Sequence, residues 1–261
     1  MHRKQGNPPR RVLSLARDLT RRKARERASL FVAEGVRTVE ELVRSGVPIR
    51  GALVTQQLLD GPRGNAIVAS LEGRGAECTT VTDEEFRSAA GTENPQGVLA
   101  IAEVPGRAIG SLGAADLARV LVLDAIQDPG NVGTLIRTAA ALGARTVIAL
   151  PGTVDPWNAK VVRGAAGGHF HVTVIMSTLP EVLDLLTGAK VPLWGADAGG
   201  RAVADLRAPQ ALALAVGNEG AGLSPAVRAA ANEIVSLPMA HGVESLNVAV
   251  AAGVLLYALG T

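Results

Sequence analysis

The most constraining feature of this chain is a pair of apolar strand patterns in its last third, each stopping abruptly at a loop of glycines and amides. The first reads LALAVGNEGAGLS over residues 212–224, and the second opens EIVSLPMAHGVESLN from residue 233 and runs into a helix of small residues. A loop holding Gly217, Asn218, Glu219, Gly220 and Gly222 presents backbone amides and carbonyls with few side chains in the way. At the carboxyl end of a strand, such a loop lies where open α/β sheets bind small molecules. The strand runs are short and apolar throughout, which predicts a parallel sheet covered by helices on both faces.

The rest of the chain follows the same alternation. Residues 12–27 read as a basic helix anchored by Leu13, Leu15 and Leu19. Strands are predicted at 30–35, 49–55, 76–81 and 98–104, with helices at 36–45, 65–74 and 83–90 between them. These describe a compact α/β domain over residues 1–105. PGRAIGSLGAA, poor in large apolar groups, marks a linker at 106–117, and the pattern restarts with the core strand VLVLD. Residues 118–261 form the second domain. Its strands are expected at 120–124, 146–150, 171–175, 191–196 and in the two runs above, its helices at 131–142, 158–166 and 179–187.

Charge is divided unevenly between the halves. Residues 1–27 hold ten Lys/Arg and two acids, a net +8, which leaves −6 on the remainder of a chain whose formal charge is +2. That asymmetry predicts a nucleic-acid-binding arm on an acidic body, with a solubilising tail as the plainer alternative. Aromatic residues make up only 2%, so arginine and backbone, rather than stacked rings, must carry nucleic-acid contacts. The C-terminal apolar helix is shorter than a membrane span, and the N-terminus lacks the apolar run of a signal peptide. The expectation is a soluble, cytoplasmic protein with no membrane association. Cys78 alone supports neither a disulfide framework nor a metal cluster, and His169, His171 and His241 lack zinc-ligand spacing. Cys78 and Tyr257 read as packing residues.

Three stretches could carry chemistry. In DAIQDPGNVGTLIRTAAALGA, residues 124–144, Asn131 stands where a helix cap would be, and Arg137 lies six residues on among alanines and leucines. An arginine beside a covered surface needs an anion, either a phosphate or an internal carboxylate. Neither GxGxxG nor GxxxxGK[ST] occurs, so no dinucleotide or P-loop nucleotide is indicated. Glu219 at the centre of GNEGAG would repel phosphate and suits a cationic or hydroxyl-bearing ligand, unless Asn218 and Glu219 simply cap the helix after Pro225. In Glu244–Ser245–Leu246–Asn247, Ser245 is placed as the helix N-cap, which leaves Asn247 in the first turn without a structural explanation.

Taken together and in order, LVLDAIQDPGNVGTLIRTAAALGA, VDPWNAKVVRGAAGGHFHVTV, LAVGNEGAGLS and IVSLPMAHGVESLNVAVAAGVLLYAL resemble the motifs of the SpoU (TrmH-type) class of 2′-O-ribose RNA methyltransferases. RRKARERASLFVAEGVRTVEELVRSG and TENPQGVLAIAEVP resemble the ribosomal-protein-like substrate-binding domain that accompanies that class. The resemblance covers nearly the whole chain. It implies a deep trefoil knot in the C-terminal domain, S-adenosylmethionine held bent between the second and third motif loops, and a homodimer packed through the knot. By position, Gly217, Asn218, Leu237, Met239, Leu246 and Ala249 would line the cofactor pocket. Arg137 would meet the ribose and phosphate of the target nucleotide, and Asn131, Glu219, Ser245 and Asn247 would orient the reacting groups. Arg21, Arg22, Lys23, Arg25 and Arg27, with Arg137, would contact RNA, and no metal is implied. The implied substrate is 23S ribosomal RNA, with transfer RNA as the alternative. A non-catalytic assembly factor and a small-metabolite enzyme are disfavoured, the first by the full set of motif residues and the second by the basic arm. One departure stands in VVRGAAGG, where Gly164 and Ala165 replace a serine common in the class.

Overall fold

The computed structural model describes residues 8–240 and 245–260; Arg3, Lys4, His241 and Glu244 lie outside the described residues. The chain divides into two compact units, one drawn from residues up to Pro105 together with Trp157–Gly167, the other from Gly106–Pro156 and Gly168 onward.

The first unit runs α1 (Pro8–Asp18), α2 (Arg22–Ala28), β1 (Leu30–Glu34), α3 (Val36–Ser45), β2 (Ile49–Thr55), α4 (Gln56–Leu59), α5 (Pro62–Gly73), β3 (Cys78–Val81), α6 (Asp83–Arg87) and β4 (Val98–Glu103). The sheet order is β1-β4-β2-β3, with β4 antiparallel to both β1 and β2, and β3 parallel to β2. The single basic helix expected at 12–27 is two helices. The chain turns between them, and Arg25 holds the turn, its Nη1 donating to the carbonyls of Leu19 at 2.8 Å and Thr20 at 2.9 Å. Val12, Leu13, Ala16 and Leu19 enter the core beside Val32, Leu53, Phe86 and Leu99. From α1 onward the basic segment is therefore part of the domain rather than a loose tail.

The second unit begins with β5 (Arg119–Asp124), α7 (Pro129–Ala141) and β6 (Thr146–Ala149). The next segment, containing α8 (Ala159–Gly164), belongs to the first unit. There Trp157 sets its ring 4.7 Å from that of Phe31, and Arg163 lies 3.7 Å from the buried Glu34 carboxylate. The chain then forms β7 (Thr173–Met176), α9 (Leu179–Gly188), β8 (Leu193–Ala202), β9 (Leu212–Gly217), α10 (Pro225–Ala230), β10 (Glu233–Ser236) and α11 (Val248–Ala258). All six strands are parallel, in the order β10-β8-β9-β5-β6-β7. β8 runs past its expected end at 196, because its ADAGGRA half still pairs with β10, Val235 opposite Arg201 and Ser236 opposite Ala202.

This order places the site. From β5 the chain builds outward through β6 and β7, then crosses to add β8 and β9 on the other side. The strands on either side of that reversal are β5 and β9, paired so that Asp124 stands opposite Gly217. Ligands bind beyond the carboxyl ends of strands at such a point. Helix α11 packs on α7 closely enough that a Cβ on Gly253 would lie 3.1 Å from the Thr138 methyl. Among the described residues no helix is long and apolar enough to cross a membrane.

Candidate active site at the ends of β5 and β9

Three chain segments converge at the β5/β9 reversal, and one line of hydrogen bonds joins them. Asn247 Nδ2 donates to Asn131 Oδ1 at 2.9 Å, and Asn131 Nδ2 donates to Glu219 Oε1 at 3.0 Å. The Glu219 carboxylate also accepts from the backbone N–H groups of Gln127 at 3.3 Å and Asp128 at 3.1 Å. At the other end, Asn247 Oδ1 accepts from Ala249 N at 2.9 Å and Val250 N at 3.4 Å, the exposed donors of the first turn of α11. The direction of the line is chemically fixed. A carboxylate only accepts and helix N–H groups only donate, so both amides must point the same way. Burial works against the charge on Glu219, but the Asn131 amide and the backbone donors outweigh it and hold the carboxyl below the usual carboxylate range.

Several local expectations change here. Asn131 is not the cap of α7; Asp128 is, accepting Asn131 N at 2.7 Å, with Pro129 in the first helical position. Asn247, not Ser245, caps α11, which supplies the structural role the sequence left unassigned. Asn218 and Glu219 do not cap α10, because Ser224 does, accepting Val227 N at 3.3 Å. Asn218 instead shapes its own loop. Its Oδ1 accepts from Gly220 N and Ala221 N, both at 3.0 Å, and its Nδ2 donates to the Ala125 carbonyl at 2.9 Å. Gly217 is required by this fold-back, since a Cβ there would collide with the Gly222 carbonyl and the Leu223 amide.

Beside the hydrogen-bonded line lies a cavity of about 650 Å³, within the usual size of small-molecule sites. Gly217, Asn218, Glu219, Leu237, Met239, Ser245, Leu246 and Asn247 line it. Ala249 is buried in α11 and is not among the lining residues. Asp197, not anticipated because β8 was ended at 196, also lines the cavity and is ion-paired with Arg228. Asp124, likewise unassigned, is buried and accepts Ser224 N at 2.6 Å, tying the two loops together at their base. Arg137 stands exposed on α7, outside the lining, with no ion pair or hydrogen bond among the described residues. Among the described residues, then, Arg137 forms no internal salt bridge, the alternative to an external phosphate.

Of the basic segment, Lys23 and Arg27 are exposed, whereas Arg21 pairs with Asp18 and Arg22 with Glu26. Arg25 is only 4% exposed and is committed to the turn between α1 and α2, which removes its charge from the solvent-facing set. Tyr257, read as a packing residue, is instead 65% exposed on α11.

A parallel α/β domain with a ligand cavity at its topological reversal, carried on the same chain as a small mixed-sheet domain, is the class these observations define. Residues 118–257 match the SpoU rRNA Methylase family, and residues 13–100 match the MRM3-like substrate binding domain. The chain belongs to the SpoU rRNA methylase family. It is 36% identical over 239 residues to the 23S rRNA (guanosine(2553)-2′-O)-methyltransferase RlmP of Bacillus subtilis, covering 91% of each chain. It is 31% identical to the 23S rRNA (uridine(2479)-2′-O)-methyltransferase of Streptomyces viridochromogenes, covering 92% of this chain and 85% of the relative. Among solved structures, the Streptomyces viridochromogenes SpoU methyltransferase AviRb in complex with AdoMet superposes with a TM-score of 0.86 at 29% identity, over 95% of this chain and 96% of that one. The AdoMet-bound rRNA methyltransferase of Sinorhizobium meliloti gives 0.84 at 26% identity, over 99% and 96%.

Proposed function

We propose that this chain methylates a ribose 2′-hydroxyl of 23S ribosomal RNA in the cytoplasm, as a homodimer whose C-terminal domain carries the family's knot. It is an S-adenosylmethionine-dependent 2′-O-ribose RNA methyltransferase. The observation that carries the site assignment is the Glu219–Asn131–Asn247 line, which locks the three motif loops together at the edge of the cavity.

The residues present fit the cofactor. The cavity has a glycine-rich rim with exposed backbone groups, an apolar wall of Leu237, Met239 and Leu246, and carboxylates of Asp197 and Glu219 nearby. That combination suits an adenosine with a cationic tail. Bound there, S-adenosylmethionine supplies an electrophilic methyl group on a good leaving group. The chain's own task is to present the ribose oxygen. Glu219 is held ionised by four donors, the Gln127 and Asp128 backbone and the Asn131 and Asn218 amides, and spends its lone pairs on them, so it serves as an anchor and not as the general base. The exposed guanidinium of Arg137 is the group that would stabilise negative charge developing on the 2′-oxygen, with the adjacent RNA phosphate accepting the proton. Leu237, Met239 and Leu246 give the cavity its apolar side.

The exposed side of α11 supports the dimer. Val250, Val254 and Tyr257 are 52%, 45% and 65% exposed and recur at helical spacing along α11, a stripe that calls for a partner surface. Arg137 lies outside the cavity of its own chain, which fits a site completed by a second copy.

The test is Arg137→Ala. Turnover should fall about 100-fold or more while cofactor affinity, measured by calorimetry, stays within about twofold, as for a contact made in the transition state. A parallel fall in cofactor affinity would remove Arg137 from that role.

A further inference from the structure

The residues between β6 and β7 contain a buried group that the methyl transfer does not use. Pro156 and Gly168 mark the two places where the chain leaves and re-enters the second unit. His169 is 3% exposed and its Nε2–H donates to the Pro156 carbonyl at 2.8 Å, closing the neck of the excursion. Burial pushes the imidazole down to about 4, against the opposing influence of that carbonyl and of Asp155, so the ring is neutral at physiological pH. A neutral ring facing a carbonyl carries its proton on Nε2.

Gly168 sits on the other side of the neck, against the helix that carries Arg137. A Cβ built there would lie 2.9 Å from Arg137 Cα, 3.2 Å from Arg137 N and 3.4 Å from the Ile136 carbonyl oxygen. Those are backbone atoms, which cannot rotate away as a side-chain tip would. The turn at Gly168–Phe170 therefore lies flush on the one turn of α7 from which Arg137 projects, and only glycine permits that approach.

We infer that Gly168 and His169 form a positioning element for Arg137: the His169–Pro156 hydrogen bond fixes the neck, and the neck, through Gly168, sets the turn of α7 that aims the guanidinium. The inference rests on the assignment of Arg137 to the methyl transfer. A displacement of about 1 Å of a reacting group costs on the order of 100-fold in rate, and an added methyl at Gly168 forces a shift approaching that size.

The experiment is methyl transfer to RNA by the full-length protein, with kcat, KM for RNA and cofactor affinity measured for Gly168→Ala, His169→Leu, His169→Gln, Arg137→Ala and the double variant Gly168→Ala/Arg137→Ala. Gly168→Ala should lose about 10- to 100-fold in kcat, with cofactor affinity and KM within about twofold. His169→Leu should behave likewise, and His169→Gln, whose amide can still donate to Pro156, should recover a large part of the loss. The double variant should be no slower than Arg137→Ala alone, because residues acting through one group are not additive. Loss that adds in the double variant, or that falls equally on cofactor affinity, would mean a structural role and overturn the inference. Should Gly168→Ala fail to fold, the Leu/Gln pair at His169 decides the question. Full activity in Arg137→Ala would instead overturn the underlying assignment of the site.

Discussion

Replacing Asn247 by aspartate separates the two things this side chain does. An aspartate keeps an oxygen for Ala249 N and Val250 N, and its charge suits the N-terminus of α11. What it removes is the Nδ2 donor to Asn131 Oδ1. The line then has a carboxylate at each end and one amide between them. Whichever way the Asn131 amide turns, one of its junctions, to Glu219 or to the new carboxylate, sets acceptor against acceptor. Losing a hydrogen bond to a charged group costs about 1.5–3 kcal/mol when buried; Asn247 and Glu219 are exposed, so about 1–2 kcal/mol is the better figure. Expressed in the transition state, that is a fall in kcat of about 5- to 30-fold. Asn247→Ala, by contrast, loses the cap as well, at about 1 kcal/mol, which lowers Tm by about 2–4 °C in a chain of this size. The assay pairs thermal unfolding with steady-state methyl transfer on the same samples. The expected result is reduced kcat in both variants, with a smaller loss of Tm for Asn247→Asp, which keeps the cap, than for Asn247→Ala, which loses cap and hydrogen bond together. An aspartate variant as active as the parent would refute the argument that the line's polarity matters, and one as destabilised as the alanine variant would refute the cap assignment.

Three further outcomes follow from the geometry. Lys23→Ala and Arg27→Ala should each reduce the slope of log affinity for RNA against log salt by roughly one, as for phosphate contacts; Arg25→Ala should leave the slope unchanged and lower Tm, because its charge is committed to the Leu19 and Thr20 carbonyls. Val250→Glu with Val254→Glu should convert the proposed dimer to a monomer in light scattering; a parent protein already monomeric at micromolar concentration would count against that dimer. His169 should make stability depend on pH in one window. Its folded pKa, about 4, lies below the unfolded value near 6.5, so the unfolded chain binds the extra proton between them. Stability is therefore full above about pH 6.5 and declines as pH falls toward 4, by about 3 kcal/mol at most, and denaturant titrations of His169→Gln should lack that component.

The parallel sheet was legible because its strands are short, apolar on both faces and punctuated by glycine, so that β5, β6 and β9 fall within a residue or two of their expected bounds. The site loops were legible for the same reason: amides and glycines at strand ends have little to do in a core. Capping was misjudged where two candidates lay close together. Asp128 and Asn131 compete for the start of α7, and Asn131 is the one drawn away by a third segment; Ser245 and Asn247 compete for the start of α11, where Asn247 does both, capping through Oδ1 while its Nδ2 reaches Asn131. Glu219 draws Asn131 across the gap, and no local pattern records that contact between residues far apart in the chain. Arg25 was misplaced for a similar reason. A run of arginines reads as uniformly solvated, yet the break between α1 and α2 exposes two carbonyls that one of them must satisfy. The return of Trp157–Gly167 to the first unit was invisible because its partners, Phe31 and Glu34, lie far upstream.

The most direct measurement is transfer of labelled methyl from S-adenosylmethionine to unmodified 23S rRNA and, separately, to unmodified tRNA, followed by digestion to nucleosides. The expected result is a labelled 2′-O-methylnucleoside from the rRNA pool alone, lost in Arg137→Ala. Label appearing on tRNA instead, or on a base rather than a ribose, would contradict it.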